Sequence, residues 1–203
     1  MVMNGDRSAF RVSRGALVAV RRAGPPVGAI AFQYNPDGMS RRLQARHADS
    51  DLGGTRTGIT RLAGPPIETI SLSVELDATA DPVSPLGVYP QLSALEMMLY
   101  PADTTPARPG TIQITPDEAP TVLFVWGPGR VLPVRLSGFT ITEQAYDADL
   151  TPLRARVDLE LRVLSTYDLP PDHPGHHLFR AHRLAKETLA AVGTGTSILQ
   201  AGL

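Results

Sequence analysis

The chain has 203 residues, no cysteine, and 19 basic against 20 acidic side chains, which gives a formal net charge of −1. Without cysteine there is no disulfide, no thiolate nucleophile and no cysteine-ligated metal, and the balanced charge excludes a global basic surface for nucleic acid. No apolar run approaches the roughly 20 residues that cross a bilayer, and the N-terminal residues do not resemble a signal peptide, so we expect synthesis in the cytoplasm and no membrane anchoring.

The first β-like runs predict a hairpin. The 18 glycines and 19 prolines are spread between short β-like runs, which indicates many turns rather than disorder. Residues 16–22 and 27–34 are two such runs, and the sequence Ala-Gly-Pro-Pro separates them. Glycine and proline between two β-like runs favour a turn, so we expect these strands to pair.

Residues 39–65 show little periodicity and are predicted to form a long loop. Loops of this length are uncommon in compact domains and are usually functional. An extended arm that adds strands to a neighbouring subunit would explain it. A protein contact explains the arginines of this loop at least as well as nucleic acid, because aromatic side chains are not interleaved with them. These arginines are Arg41, Arg42, Arg46, Arg56 and Arg61.

The central part of the chain predicts one strand and one helix. Apolar and polar residues alternate strictly from Ile70 to Leu76, which indicates a strand with one buried face. Residues 88–100 have leucine and methionine at helical spacing, and they predict a helix that ends where Tyr100 precedes a proline.

Three further strands follow. A short strand at 111–115 is the most that the proline-rich segment after the helix allows, and residues 121–126 are apolar on both faces, which predicts a fully buried strand. In residues 131–142 the apolar alternation changes phase at Ser137 and Gly138, which indicates a β-bulge or a sharp bend. Residues 147–151 are predicted to form the connecting turn.

Residues 153–163 alternate without interruption between apolar and charged side chains. The charged face mixes arginine with carboxylates, which suits either a complementary neighbouring subunit or simple solvation. Its members are Arg154, Arg156, Asp158, Glu160 and Arg162.

The C-terminal part is predicted to be a linker, a short helix and a loose tail. The linker is proline-rich residues 167–175, and the helix is residues 178–192, ended by Gly193 and Gly195. Six or more strands with a helix in mid-chain and another at the end predict an antiparallel barrel or tight sandwich with a helix against its side.

Two groups of side chains are candidates for chemistry. His173, His176, His177 and His182 cluster near the predicted linker, and a metal-binding or hydrolytic protein using this cluster is the alternative function. A solvated linker is the interpretation that we favour, because the HExxH pattern and a third ligand are missing. Glu143, Asp147 and Asp149 surround a turn, and Asx-type hydrogen bonds explain these aspartates without catalysis.

Four segments in order resemble the contractile injection system tube-protein family, the baseplate proteins of phage-tail-like particles. They are FQYNPDGMSRR, GPPIETISLSVELDA, GVYPQLSALEMMLYP and the long run from PTVLFVWGPGR to LELRVLS. The resemblance implies an antiparallel β-barrel of the phage tail-tube type, with one flanking helix and a C-terminal helix. It also implies a hexameric ring that connects the spike or hub of the baseplate to the inner tube and initiates tube assembly.

From this resemblance we expect residues 1–170 to form the tail-tube-like domain and 171–203 a linker, helix and tail. The LysM module that longer relatives carry there is not seen. The implied partners are further copies of the chain, the inner tube protein, the spike or hub protein and other baseplate proteins, within a particle made in the bacterial cytoplasm. Neither catalysis nor a cofactor is expected. The residues predicted at subunit interfaces are Arg41, Arg42, Arg46, Arg56, Arg61, Arg154, Arg156, Asp158 and Glu160.

Overall fold

The computed structural model of the chain describes residues 13–20, 28–47, 62–79, 85–100 and 120–201, with side chains through residue 194. In this part of the chain, seven strands form one antiparallel sheet, accompanied by two helices. The mainly β fold predicted from the sequence is confirmed. In chain order the elements are β1 (Ala16–Val20), β2 (Gly28–Ala31), β3 (Met39–Gln44), β4 (Ile67–Asp77), α1 (Tyr89–Glu96), β5 (Thr121–Val125), β6 (Val131–Tyr146), β7 (Pro152–Val163) and α2 (Pro174–Ala201).

The sheet has the strand order β2-β1-β5-β6-β7-β4-β3, and β6 joins its two halves. Residues 131–134 of β6 pair with β5, whereas β6 pairs with β7 from Val134 to Tyr146. The register shifts between Leu136 and Gly138, at the place where the sequence pattern predicts a bulge. A bulge bends and twists its strand, so β6 can turn from one half to the other. The hairpin predicted at the start of the chain is also confirmed, because β1 pairs with β2.

The core is one cluster of apolar side chains drawn from both halves of the sheet and from α1. In β4 and β7, every second side chain from Ile70 to Leu76 and from Ala155 to Val163 is buried, as their strict alternation predicts. Full burial of an aliphatic side chain contributes roughly 1.5–3 kcal/mol. The prediction that β5 is buried on both faces is wrong: Val122 and Phe124 are buried, while the residues between and beside them are half-buried.

The sheet formed by the described strands is open between its edge strands β2 and β3, and α1 lies on the β2 side of this opening. Val88, Leu92 and Leu95 are buried, and α1 lies beside β2. Within the described residues, β2 and β3 have no strand on their outer sides, so the sheet is not closed by strand pairing. The predicted helix is confirmed in its position, but it ends at Glu96, and residues 97–99 form turns before Tyr100.

The prediction of one long loop is wrong. Residues 39–65 are not one loop, because Met39–Gln44 is strand β3 and His47 forms an isolated bridge with Leu62. Residues 48–61, which include Arg56 and Arg61, lie outside the described residues, as does the strand predicted at 111–115.

α2 is longer than predicted at both ends. It has 28 residues and is therefore about 42 Å long. It begins with a proline at its first position, where the missing N–H costs nothing, so the predicted linker is shorter than residues 167–175. Gly193 and Gly195 do not end it, and the tail predicted to be loose is helical as far as Ala201. No helix in the described part of the chain has both the length and the apolar character needed to cross a bilayer.

Candidate assembly surfaces

One face of the sheet is polar across four adjacent strands, β6, β7, β4 and β3. Residues opposite each other in antiparallel strands share a face, and the register places Asp77 opposite Arg154 and Thr142 opposite Arg156. We call this surface the polar face; its five arginines and four carboxylates nearly cancel in charge. Its members are Ser40, Arg42, Gln44, Thr69, Ser71, Ser73, Glu75, Asp77, Arg135, Thr140, Thr142, Gln144, Arg154, Arg156, Asp158, Glu160 and Arg162.

The β7 residues predicted at an interface all lie on the polar face. The Nε atom of Arg154 is 2.9 Å from an oxygen of Asp77. Arg156 donates from Nε to the Ser73 hydroxyl at 2.8 Å and lies 3.5 Å from Asp158. Because exposed ion pairs contribute only about 0–1 kcal/mol, the stability of the fold does not explain this concentration of charge. The interface role of these residues, including exposed Glu160, stays a prediction.

The arginines predicted in the loop lie on different surfaces. Arg42 is on the polar face, opposite Thr69. Arg41 faces the other side of the sheet, where its guanidinium is 2.6 Å from the carboxylate of Glu68. Arg46 lies over the ring of Tyr167, with its guanidinium carbon 5.6 Å from the ring centroid. Arg41 and Arg46 therefore make contacts within their own copy, and their predicted interface role is untested.

Glu68 connects three elements and was missed by the sequence reasoning. It is 4% exposed and accepts from Arg41 of β3 and, at 3.1 Å, from Lys186 of α2. Burial raises the pKa of Glu68, but hydrogen bonds and charge from Arg41 and Lys186 outweigh it and lower the pKa. One signal for this site was present in the sequence: Glu68 is in phase with Ile70 on the inward face, where a carboxylate needs a cationic partner.

His173 is not in a solvated linker, contrary to the prediction. It is 7% exposed and precedes α2, where its Nδ1 accepts the backbone N–H of Gly175 at 3.0 Å. Its Nε2 is 3.3 Å from the Thr121 hydroxyl. Both ring nitrogens are therefore engaged within the chain, and the imidazole acts as the cap of α2.

The remaining histidines lie on α2. The rings of His176 and His177 meet edge to face at 5.8 Å between centroids. Burial and the nearby Lys186 ammonium lower the pKa of His182, which favours its neutral form. Among the residues whose side chains are described, no three metal-binding side chains converge on a point that would hold an ion.

The turn between β6 and β7 is held by Asp147. One of its carboxylate oxygens accepts the backbone N–H groups of Thr151 at 2.8 Å and of Asp149 at 2.9 Å. The bond from Thr151, followed by those from its side chain and from Asp149, lowers the pKa of Asp147. The predicted Asx turn is confirmed.

β3 forms one edge of the sheet made by the described strands. Within the described part of the chain no strand lies beyond it, and all its side chains except the half-buried Met39 are exposed. An exposed edge of this kind presents a row of N–H and C=O groups that another chain can pair with. The other edge strand, β2, has α1 beside it.

The chain was compared with known protein families. A family model described as contractile injection system tube protein matches residues 19–169, a span that contains all the strands from β2 onwards as well as α1. No curated protein matches the chain. The match covers the segments on which the sequence resemblance rests and confirms that resemblance. The chain therefore belongs to the contractile injection system tube protein family, whose members are structural components of tail-like particles.

Proposed function

We propose that this chain forms a hexameric ring that connects the spike or hub of the baseplate to the inner tube and initiates assembly of that tube. The observation that carries the proposal is the polar face combined with the outer edge of β3, with which no other described strand pairs. A tube subunit needs a hydrated channel wall and a lateral contact with its neighbours. The polar face can supply the first and the edge of β3 the second.

The polar face is suited to line the channel of a ring. Its outward positions on β4 and β7 hold polar or charged side chains from Thr69 to Asp77 and from Arg154 to Arg162. A hydrated wall lets a polar cargo pass without burying apolar surface against it. Near-equal numbers of arginines and carboxylates avoid a strong field of one sign, which would retain oppositely charged cargo.

The edge of β3 is suited to lateral assembly. Strand addition to an exposed edge uses main-chain hydrogen bonds and extends the sheet from one copy into the next. A chain of such contacts has no free edge once the ring closes. Arg42 projects from β3 onto the polar face, so a neighbour added at this edge would continue that face around the ring.

The proposed role implies protein partners and no catalytic activity. The ring would contact the inner tube protein, the spike or hub protein and other baseplate proteins, within a particle assembled in the bacterial cytoplasm. We propose residues 1–170 as the tube-like unit, with α2 as its appendage. No observation favours the alternative of a metal-binding or hydrolytic histidine cluster, since His173 is occupied as a helix cap and hydrogen-bond partner.

Electron microscopy of the purified chain, alone and mixed with the tube and hub proteins, tests the ring. We expect six-fold rings in at least one of these samples. A chain that stays monomeric in all of them and binds neither protein contradicts the proposal.

Single cysteines test the channel lining, because the natural chain has none. Thr140→Cys places a thiol on the polar face, and Thr188→Cys places one on the exposed side of α2 as the control. In assembled rings we expect Thr140→Cys to react with a small maleimide and to be protected from a maleimide that carries a large polymer, while Thr188→Cys reacts with both. Equal reaction of Thr140→Cys with the large reagent before and after assembly would show that this face is outside.

A further inference from the structure

The first half of α2 is held against the sheet along one face of the helix. Phe179, His182 and Lys186 are three and four residues apart, so they lie on the same face, and all three are half-buried. Phe179 packs against the core, and the Lys186 ammonium is 3.1 Å from the carboxylate of Glu68 on β4. We call these three residues the docking face. Residues 187–194 are all exposed, so among the described side chains the attachment of α2 ends at Lys186.

His182 lies between the two anchors of the docking face, in a groove beside β3. The groove is lined by Leu43 and Phe179, and by Tyr167 as another titratable group. The Nε2 atom of His182 is buried and has no hydrogen-bond partner among the described residues. Because a buried charge without a partner is costly, this position suits a neutral imidazole.

Charged side chains face His182 from every element packed around it, and the cations outnumber the carboxylate. The cations are Lys186 and Arg183 on α2, Arg41 on β3 and Arg130 just before β6. The carboxylate is Glu68, which already accepts hydrogen bonds from Arg41 and Lys186, and Arg183 is paired with Glu187. A proton on His182 would therefore add a positive charge where the described carboxylates are already paired.

These neighbours make the imidazole hard to protonate while α2 is docked. Burial is the largest cause that lowers the pKa of His182 from its ordinary value of 6.5. Positive charges nearby, that of Lys186 first, lower the pKa further, and the Glu68 carboxylate only partly offsets them. A helix freed from the sheet exposes His182 to water and restores its ordinary pKa. The docked helix therefore binds this proton less readily than the free helix, so protonation shifts the equilibrium toward release.

We propose that the docking face is a pH-sensitive switch: α2 stays docked while His182 is neutral and loosens from the sheet when this imidazole takes up a proton. At neutral pH the appendage is held against the tube-like unit, and in mild acid it is freed. The switch is a property of the single chain and goes beyond the proposed ring, so either can fail without the other.

The pH range of the switch differs from the range in which Glu68 titrates. Docking should begin to weaken as the pH falls through the ordinary histidine pKa of 6.5 and should continue to weaken until the pH reaches the lower, docked pKa of His182. The pKa of Glu68 is lowered from 4.5, so its carboxylate supports docking until the pH falls below that value. A change between pH 7.5 and pH 5.5 therefore excludes Glu68 as its cause.

Hydrogen–deuterium exchange of the purified chain, followed by mass spectrometry, tests the switch. After correction for the intrinsic exchange rate, we expect the amides of residues 178–186 to lose at least about fivefold in protection between pH 7.5 and pH 5.5. The amides of β7, measured in the same sample, should keep their protection because the sheet does not open. Unchanged protection of α2 across this range, or an equal loss in β7, overturns the proposal.

Two substitutions assign the effect to one histidine. His182→Gln keeps a polar side chain that cannot take up a proton in this range, so its α2 should stay protected at both pH values. His177→Gln, at an exposed position of the same helix, is the matched control and should respond to acid as the natural chain does. A His182→Gln chain that still loses protection in acid, or a His177→Gln chain that does not, contradicts the role of His182.

Nuclear magnetic resonance of the natural chain keeps the test independent of how well either variant folds. The His182 ring should titrate with a pKa below 6.5, over the same pH range in which residues 178–186 lose protection. If its pKa lies at or above the ordinary histidine value, or if the ring titrates in a different range from the loss of protection, the docking face is not the switch.

Discussion

Gln33 and Asp77 exchange two hydrogen bonds across the opening of the sheet. The Gln33 amide donates from Nε2 to the Asp77 carbonyl at 2.8 Å and accepts the Asp77 N–H at Oε1 at 2.9 Å. Gln33 follows the edge strand β2, and Asp77 is the last residue of β4. The Gln33 side chain therefore acts as a strand partner for Asp77. It links β4 to the residues that follow β2, although β2 and β4 do not pair.

Replacing Gln33 by alanine removes both bonds and leaves a backbone donor and acceptor of Asp77 without these partners. We expect the free energy of unfolding to fall by about 1–3 kcal/mol, measured by urea denaturation. Gln144→Ala is the control, because Gln144 is exposed on β6 and its loss should change stability by less than about 0.5 kcal/mol. Equal effects of the two substitutions would mean that the Gln33 bonds do not hold the opening.

His173 is expected to stabilise the start of α2. Loss of its bond to the Gly175 N–H removes a helix cap, so His173→Ala should destabilise the chain by about 1–2 kcal/mol. His173→Asn supplies another capping acceptor and should recover part of that loss. His177→Ala, at an exposed position of the same helix, is the control and should be nearly neutral. Urea denaturation followed by far-ultraviolet circular dichroism measures all three; a neutral His173→Ala would argue against the cap.

The amount of the fold that the sequence predicts depends on how local the cause is. β4 and β7 were predicted because one buried face imposes a period of two on neighbouring residues. The bulge in β6 was found because it shifts that period at Gly138. β3 was missed for the opposite reason: most of its side chains are exposed, so no apolar pattern marks it, and its pairing with β4 determines its conformation.

The candidate surfaces depend still more on tertiary structure. The ion pair between Glu68 and Lys186 joins residues 118 positions apart, and no local pattern predicts such a contact. His173 was assigned to a linker because its burial comes from Thr121 and the start of α2. Gly193 and Gly195 predict the end of a helix, but a glycine costs a helix only about 1 kcal/mol relative to alanine, and α2 continues through both.

The Glu68 network should make stability depend on pH. Because the pKa of Glu68 is lowered in the folded chain, its ionised form contributes stability above the ordinary carboxyl pKa of 4.5, and that contribution is lost as the pH falls through the lower, folded value. We expect the natural chain to lose more stability than Glu68→Gln between pH 5 and pH 3. Urea denaturation at several pH values measures the free energy of unfolding of both proteins. The other carboxylates are present in both, so their contributions cancel in the difference.

At neutral pH, Glu68→Gln should be destabilised because Arg41 and Lys186 lose their counter-charge. Removing one partner of a buried ion pair costs about 3–5 kcal/mol, and the partial exposure of both cations places the expected loss below that range. Glu187→Gln, which breaks only the exposed pair with Arg183, is the control. Parallel pH profiles of the natural chain and Glu68→Gln would show that folding does not change the pKa of the Glu68 carboxyl.

Gly87 should tolerate no side chain. It has φ +54°, and a Cβ atom there would meet the backbone carbonyl of Pro152, the group that accepts the N–H of Val88. The left-handed conformation alone costs an alanine about 1–2 kcal/mol, and displacing β7 or the start of α1 adds to it, so Gly87→Ala should destabilise the chain by more than about 2 kcal/mol. Gly129→Ala, with open space around its Cβ position, should be nearly neutral. If thermal unfolding shows the two variants to be equally stable, α1 does not need its close approach to the first residue of β7.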